Sequence, residues 1–518
     1  MTPFLANSGC DIHAQDAWTI STGNSDIVVA VLDTGIHYTH EDLQANLWTN
    51  PNETSDGQDN DHNGFVDDLR GWNFVSNNAN NYDDNTHKLF QGECIYDPQY
   101  HGTHVAGIIG AKGNNDRGIA GVCWDVRLMA LKICDYCGIT TADRIINALD
   151  YATKNGAFLT NNSYGGGPYS TSVKAAITRA QNRDRLYVAA AGNEQNGNNN
   201  DQNPVYPASY DNGNIIAVLA TTNEDDRASF SNYGQNSVDV GAPGVDIFSA
   251  QSSGYGHMSG TSQAAPHVAG VAALALGVCP GLTYGPLKNL IINGADDVDD
   301  LNNKCVSDGR LNAYNVLNGL GGATSPSAPS NLVAYQIAWH IIGLRWNDNS
   351  NNELGFEIQR KDQYRTAFIH ENGTDMNSTS YVYYQEIIDT SVPRSYYTYR
   401  VRAANKAGIS SFSNTYEVSI PQTVPDEPTD LDGQSPTLEQ NVNIYWSNHA
   451  ANALYNYVER RIPGETDWEV IATLSYNSNA YSDNYAQAGR TYEYRVRAGN
   501  PVGYSSYSNT LSIEVIQW

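Results

Sequence analysis

The chain has 518 residues, and its 56 acidic against 29 basic side chains give a formal charge of −27. A chain this acidic repels phosphate and anionic lipid, which excludes nucleic acid and membrane surfaces as default partners. Its 40% apolar content excludes a mainly disordered chain, and its length suits about three domains. No apolar run approaches the ~18–20 residues of a membrane span. Met1-Thr2-Pro3 opens directly on polar sequence, so no signal peptide is expected within these residues.

Up to about residue 318, short apolar runs alternate with longer helical patterns. Ile27–Leu32 is apolar throughout, as a strand buried on both faces requires, and Leu128–Ile133, Leu186–Ala190 and Ile215–Leu219 read the same way. Thr141–Lys154 and Ser172–Asn182 carry the helical period, and Val268–Leu276 suits a buried helix. This alternation predicts an α/β domain over 1–318, with a mostly parallel sheet and helices on both faces. The Gly-, Ser- and Pro-rich stretch 319–328 reads as a linker.

Beyond it the texture changes to short alternating strands, and a repeat appears. Tyr397-x-Tyr-Arg-Val-Arg-Ala403 recurs as Tyr492-x-Tyr-Arg-Val-Arg-Ala498. Asn405-x-x-Gly408 recurs as Asn500-x-x-Gly503, and Trp346 matches Trp446. The period-two alternation turns one apolar face inward, and units of about 90–100 residues are the size of a two-sheet sandwich. Two all-β immunoglobulin-like sandwiches are therefore expected, over 329–421 and 426–518. The early Trp, the late Tyr-x-Tyr-x-Val-x-Ala strand and the Asn-x-x-Gly turn resemble a fibronectin type III tandem. That resemblance implies a tyrosine-corner hydroxyl bond for Tyr397 and Tyr492.

All seven cysteines, Cys10, Cys94, Cys123, Cys134, Cys137, Cys279 and Cys305, precede residue 306. Three disulfides and one free thiol are expected, with Cys279 and Cys305 the favoured pair because they bracket one late segment. Cys134-x-x-Cys137 has no second ligand pair for zinc and no thioredoxin-like context, so a local structural role is expected.

The chemistry lies in four short motifs of the first domain. Asp33-Thr-Gly35 ends a strand, His101-Gly-Thr-His-Val-Ala-Gly107 opens a helix, Ala191-Gly-Asn193 ends another strand, and Gly260-Thr-Ser-Gln-Ala-Ala-Pro-His-Val-Ala-Gly270 opens a second helix. Each alone has a plain reading as a turn, loop or cap. An aspartic protease needs two such carboxylates, and the nearest second, Asp389-Thr-Ser391, lacks the glycine. A zinc protease pair is more usually four apart with a Glu between, whereas His101 and His104 are three apart.

Together, in the order Asp, His, Ser, the motifs resemble the subtilisin-like serine proteases over about residues 15–318. Gln263 is the one departure in the serine motif, where the family usually has Met. The resemblance implies that Ser262 is the nucleophile, His101 the general base and Asp33 the group orienting it. It further implies that the Asn193 side chain and the Ser262 backbone N–H bind the oxyanion. His104 and His267 are implied to be structural.

The same resemblance assigns substrate binding to Ser163, Tyr164, Gly165 and Gly166, with Gly138, Ile139 and Thr140 as the opposing edge strand. The substrate would add as a strand, so backbone bonds would dominate and specificity would be broad. Glu194, next to the oxyanion Asn, reads either as a selector for a basic or polar residue in the pocket or as a solvated rim carboxylate.

Asp59-x-Asp61-x-Asn63-Gly64-Phe65 matches the first half of a calcium loop, with alternate oxygen ligands and a glycine at the turn. Arg70 stands where a full EF-hand needs Glu. The loop resembles a subtilase calcium insertion, completed by Asp67 or Asp68 and the Phe65 carbonyl. A second calcium is suggested between Asp42 and Asn115. Structural Ca2+ and no organic cofactor are expected. The leading reading is a secreted, extracellular, monomeric endopeptidase acting on protein or peptide substrates, whose sandwiches engage an insoluble protein or surface. The competing reading is a non-enzymatic adhesin or scaffold on a protease-like fold, which the intact catalytic positions disfavour.

Overall fold

The computed structural model describes residues 9–83, 100–135, 137–252, 254–339, 341–384, 394–436 and 441–516. The apolar runs named above become the strands of one sheet: β1 (Gly23–Asp33), β2 (Gly71–Asn73), β3 (Asp125–Lys132), β4 (Leu159–Asn162), β5 (Leu186–Ala190), β6 (Ile215–Thr221) and β7 (Val240–Pro243). A separate hairpin pairs β8 (Ile247–Gln251) with β9 (Gly254–Met258), and the short β10 (Asp296–Asp297) and β11 (Gly309–Arg310) complete the main sheet. Its order is β10-β11-β7-β6-β5-β4-β1-β3-β2, and only the β10–β11 pair is antiparallel.

The helices are α1 (Ala14–Trp18), α2 (His101–Gly110), α3 (Ala142–Lys154), α4 (Thr171–Asn182), α5 (Thr261–Val278), α6 (Tyr284–Asn293) and α7 (Ala313–Gly319). Alternate residues of β1 serve opposite faces, as its pleat dictates. Val29 and Val31 pack with Val105 of α2 and Val268 and Val271 of α5. Ala30 and Leu32 pack with Leu149 of α3 and Val173 and Ile177 of α4. Helix α5 is buried nearly all round because its sequence is apolar or small on every side.

The chain forms two compact units. The first comprises 1–329, 348–378 and 400–413, and the second comprises 330–347, 379–399 and 414–518. The division therefore does not follow the linker, and the physical reason lies in one hairpin of the first unit. Strands Gly355–Asp362 and Ile369–Asp375 pair antiparallel, and the stretches 355–360 and 369–374 are buried on both faces. Their polar residues meet the lower ends of the parallel strands. Arg183 pairs with Glu371 at 2.8 Å, and His370 stacks on Phe158 at 3.6 Å.

In the second unit, Ser330–Ala338, Ile341–Asn347 and Ser380–Tyr384 form a three-stranded antiparallel sheet, and Arg394–Tyr399 pair with Tyr416–Pro421. The last repeat lies wholly in this unit as two antiparallel sheets over one core of Leu431, Val442, Ile444, Trp446, Val458, Tyr494 and Val496. Buried Tyr492 accepts the Gln487 backbone N–H on its hydroxyl at 3.3 Å, the contact a tyrosine corner makes.

The Cys279–Cys305 pairing is not formed. Cys10, Cys123, Cys134, Cys279 and Cys305 are free thiols, and Cys137 is disulfide-bonded. Cys279 ends α5 in the main core, whereas Cys305 packs in a separate cluster with Leu219, Val238 and Leu301, so nearness in sequence does not become contact. Burial pushes the thiols of Cys123, Cys134 and Cys279 up, which keeps them inert. Cys94 lies outside the described residues.

Candidate active site

Asp33 is the last residue of β1, at the carboxyl edge of the sheet, where open α/β sheets place their ligands. Thr34 and Gly35 then turn the chain away. Gly35 takes φ +108°, a conformation that disfavours any side chain. Helix α2 seats directly on this turn. Gly102 donates its N–H to the Thr34 hydroxyl at 2.9 Å, and a Cβ on Gly102 would stand 2.2 Å from the Gly35 carbonyl oxygen. This close seating brings His101 Nδ1 to 2.8 Å from Asp33 Oδ1. Burial pushes the His101 imidazole down, but the charge and hydrogen bond of Asp33, helped by Asp83, outweigh it and raise it above its ordinary value.

Helix α5 starts at Thr261, so Pro266 falls beyond the first turn. Proline has no N–H, which leaves the Ser262 carbonyl without its helical donor. The Ser163 hydroxyl, just past β4, donates to that carbonyl at 2.9 Å, and the Ser262 hydroxyl donates to the Ser163 carbonyl at 3.0 Å. The Asn161 side chain in turn donates to the Ser163 hydroxyl. Asn193 Oδ1 accepts both the Thr261 N–H (2.8 Å) and the Thr261 hydroxyl (2.9 Å). Two donors at the oxygen fix the amide orientation and leave Nδ2 as the outward group.

His104 and His267 are both held inside the fold. Burial holds both imidazoles down to about 4, and the His104 ring donates to the Ile247 and Gly256 carbonyls. Gln263 is 2% exposed, so the one departure from the serine motif faces inward.

Gly165 and Gly166 are exposed beyond β4, while the Tyr164 hydroxyl is engaged by Asn162 and Tyr187. Gly138, Ile139 and Thr140 are not in a ladder. They follow a turn closed on Asp135, whose carboxylate accepts the Cys137 and Ile139 N–H groups. Ile139 stands 60% exposed beside it. Glu194 is exposed, with its backbone N–H held by the Asn232 side chain.

The acidic loop closes on a residue the sequence pattern missed. Oxygens of Glu53, Asp59 and Asp61 lie within 4.8 Å of one another, and so do oxygens of Glu53, Asp56 and Asp67. Burial pushes the Asp61 carboxyl to about 6 against the pull of Arg365, and burial also raises Glu53. Gly64 turns at φ +94° and donates to Asp59. The Asn63 side-chain oxygen accepts the Phe65 N–H. Asp68 stands apart from both groups because Asn50, Asn63 and Tyr151 donate to it. Asp42 and Asn115 do meet, but as a hydrogen-bonded junction. Asn115, Ile119 and Tyr255 all donate to the Asp42 carboxylate and occupy both its oxygens.

The sequence signal for Glu53 was weak because it lies six residues before Asp59, outside the alternating pattern. Buried Asp83, which accepts hydrogen bonds from Thr103, carried no motif at all.

The Subtilase family (peptidase S8) profile matches residues 24–315. The chain is similar to the thermophilic serine proteinase of Bacillus sp. (strain AK1), at 37% identity over 58% of this chain and 64% of that protein. It is similar to thermitase of Thermoactinomyces vulgaris, at 34% identity over 58% of this chain and 92% of that protein. A crystal structure of a cold adapted subtilisin-like serine proteinase is 30% identical, covering 56% of this chain and 91% of that one with a TM-score of 0.44. With the family profile matching more than half of its length, over the residues that carry the Asp33–His101 pair and Ser262, the chain belongs to the subtilase family.

Proposed function

We propose that Asp33, His101 and Ser262 are the triad of this subtilisin-like serine endopeptidase, a secreted enzyme that hydrolyses peptide bonds of extracellular proteins. The observation that carries the reading is the 2.8 Å bond from His101 Nδ1 to Asp33, with the raised imidazole that results. That bond fixes the tautomer and leaves Nε2 free to take the Ser262 proton. In the resting chain the Ser262 hydroxyl donates to the Ser163 carbonyl. Rotation about χ1 hands it to His101 once substrate is in place, as catalytic hydrogen bonds commonly tighten only in the complex.

Ser262 then attacks the scissile carbonyl. His101 takes the proton and returns it to the leaving amine, while Asp33 stabilises the imidazolium. The oxyanion is bound by Asn193 Nδ2 and the Ser262 backbone N–H at the positive end of α5. An extended peptide pairs with the exposed Gly165–Gly166 backbone on one side and with Gly138–Thr140 on the other, so side-chain selectivity is broad. Glu194 at the rim favours basic residues.

The Glu53–Asp59–Asp61 group, with Asp67 beside it, holds structural calcium. Closely packed hard oxygens with burial-raised carboxyls are the donor set such a cation relieves. The two β-repeats are fibronectin type III-like, which the tyrosine-corner contact of Tyr492 supports, and they engage insoluble protein. The test is casein hydrolysis in calcium with and without a serine-directed sulfonyl fluoride, alongside Ser262→Ala. Activity that resists the sulfonyl fluoride or survives in Ser262→Ala would sink the serine triad, and no activity in the wild type would favour a binding scaffold.

A further inference from the structure

We propose that Asp83 is a positioning residue for the peptidase reaction: its buried carboxylate caps the helix that carries His101 and adds a second negative charge behind the Asp33–His101 pair. The proposal rests on the reading of His101 as the general base.

Helix α2 begins without a cap of its own. Its N-cap residue is Tyr100, in the left-handed region at φ 61°, and no side chain at that position accepts a helix N–H. The first N–H groups of a helix need acceptors. Asp83 supplies one from a distant loop, accepting the Thr103 N–H at 3.0 Å together with the Thr103 hydroxyl. Beside it the Thr34 hydroxyl takes the Gly102 N–H at 2.9 Å. The Thr103 hydroxyl oxygen accepts the His37 N–H at 2.9 Å. One carboxylate thus ties the turn after β1 to the first turn of α2, the two pieces that hold Asp33 and His101.

Asp83 is itself fixed. Its N–H donates to the Ile36 carbonyl, the Ile36 N–H donates to the Asn81 carbonyl, and the Asn81 side chain donates to the Ala130 carbonyl of β3. A Cβ on Gly35 would come within 2.5 Å of the Asn81 oxygen, so the two segments are packed backbone to backbone.

The cap is unusual in being a charge-bearing group that is 2% exposed and has no salt bridge among the described residues. A neutral cap would avoid that desolvation cost. The charged groups that face this region are Asp33 from β1, His37 after it, His101 and His104 from α2, and Lys132 from β3, whose ammonium holds the Tyr82 carbonyl. Burial pushes the Asp83 carboxyl to about 6 against the hydrogen bonds from Thr103, and the charge of Asp33 adds to the rise. Above that pH Asp83 is ionised, and it helps raise His101. What it stabilises is the imidazolium that forms as Ser262 loses its proton.

The experiment compares wild type, Asp83→Asn and Asp83→Ala in the full chain, with kcat and KM measured on a peptide substrate from pH 5 to 9. Asn keeps an acceptor for the Thr103 N–H and removes the charge. Asp83→Asn is expected to move the acidic limb of kcat/KM down by about half a pH unit with KM unchanged. Asp83→Ala is expected to lower kcat by about tenfold or more, most of which Asn recovers. An acidic limb of Asp83→Asn that coincides with the wild type overturns the charge role, and unchanged kcat in Asp83→Ala overturns the capping role. Should Asp83→Ala fail to fold by circular dichroism, the Asn variant carries the decision. Failure of the triad reading looks different: the wild type would resist sulfonyl fluoride and Ser262→Ala would stay active.

Discussion

Asn193 shows how much one residue's surroundings decide. Its carbonyl end is pinned by Thr261, so its amide nitrogen is presented to the site before substrate arrives. Asn193→Ala is expected to lower kcat by about 10²–10³-fold with little change in KM, a magnitude established on a subtilisin rather than computed from this structure. Burst kinetics on an activated ester would check it. His104 gives a pH prediction. Burial holds it down to about 4, so the folded state disfavours the charged ring. The stability this contributes is complete above the ordinary value of 6.5 and is lost as pH falls towards 4. Over that window the loss is on the order of 3 kcal/mol. His104→Gln, which keeps a donor for the Ile247 carbonyl, is expected to flatten the urea midpoint between pH 7 and 4 relative to wild type. At this scale the motifs were readable, because Asp33, His101, Ser262 and Asn193 each sit in a local pattern. Glu53 was not, because it lies outside the alternating pattern of its loop, and Asp83 was not, because its partner Thr103 comes from a different segment.

At the scale of elements, the site is a set of three strand ends and two helix starts. The carboxyl end of β1 gives Asp33, the segment after β4 gives Ser163, and the segment after β5 gives Asn193. Helices α2 and α5 then deliver His101 and Ser262. The seating of α2 is tight enough to predict an effect: Gly102→Ala would place a methyl against the Gly35 backbone oxygen. It is expected to cost about 1–3 kcal/mol and to lower kcat more than it raises KM, because the helix must lift His101 from Asp33. Thermal melts and steady-state kinetics on one preparation would separate the two effects. Pro266 lies inside α5 rather than in its first turn, where a proline would be tolerated. The Ser163 hydroxyl satisfies the carbonyl that the proline leaves open.

The first unit as a whole joins the catalytic core to one hairpin of the first β-repeat. Arg183 and Arg360 share the Glu371 carboxylate, and both partners are nearly buried. Removing one member of such a group leaves an uncompensated charge, so Glu371→Ala is expected to cost about 3–5 kcal/mol. Deletion of 322–518 is expected to lower the melting temperature for the same reason, and also to release Asn52, which accepts the Thr366 and Ala367 N–H groups beside the acidic loop. A deletion variant that melts with the wild type would contradict this. The proposed calcium site lies in the same unit. At a hundredfold excess over its dissociation constant, one bound ion stabilises by about 2.7 kcal/mol, so chelation is expected to lower the melting temperature and Asp61→Asn to remove the response. Calorimetry with and without chelator would decide.

The sequence alone was enough for the α/β core, the β-rich repeats and the subtilase family, and it pointed to the four proposed catalytic positions and to the acidic loop. All of these are written in periodicity or in contiguous motifs, where chemistry and local geometry coincide. The packing of the fold keeps Cys279 and Cys305 apart, brings Glu53 into the acidic group, joins the Asp42 carboxylate to Asn115, Ile119 and Tyr255, and seats residues 355–375 with the catalytic core. Glu53 is placed by the folding of its own loop, and the rest depends on which side chains meet across long sequence separations. That is fixed by the packing of helices on the sheet and leaves no periodic trace along the chain.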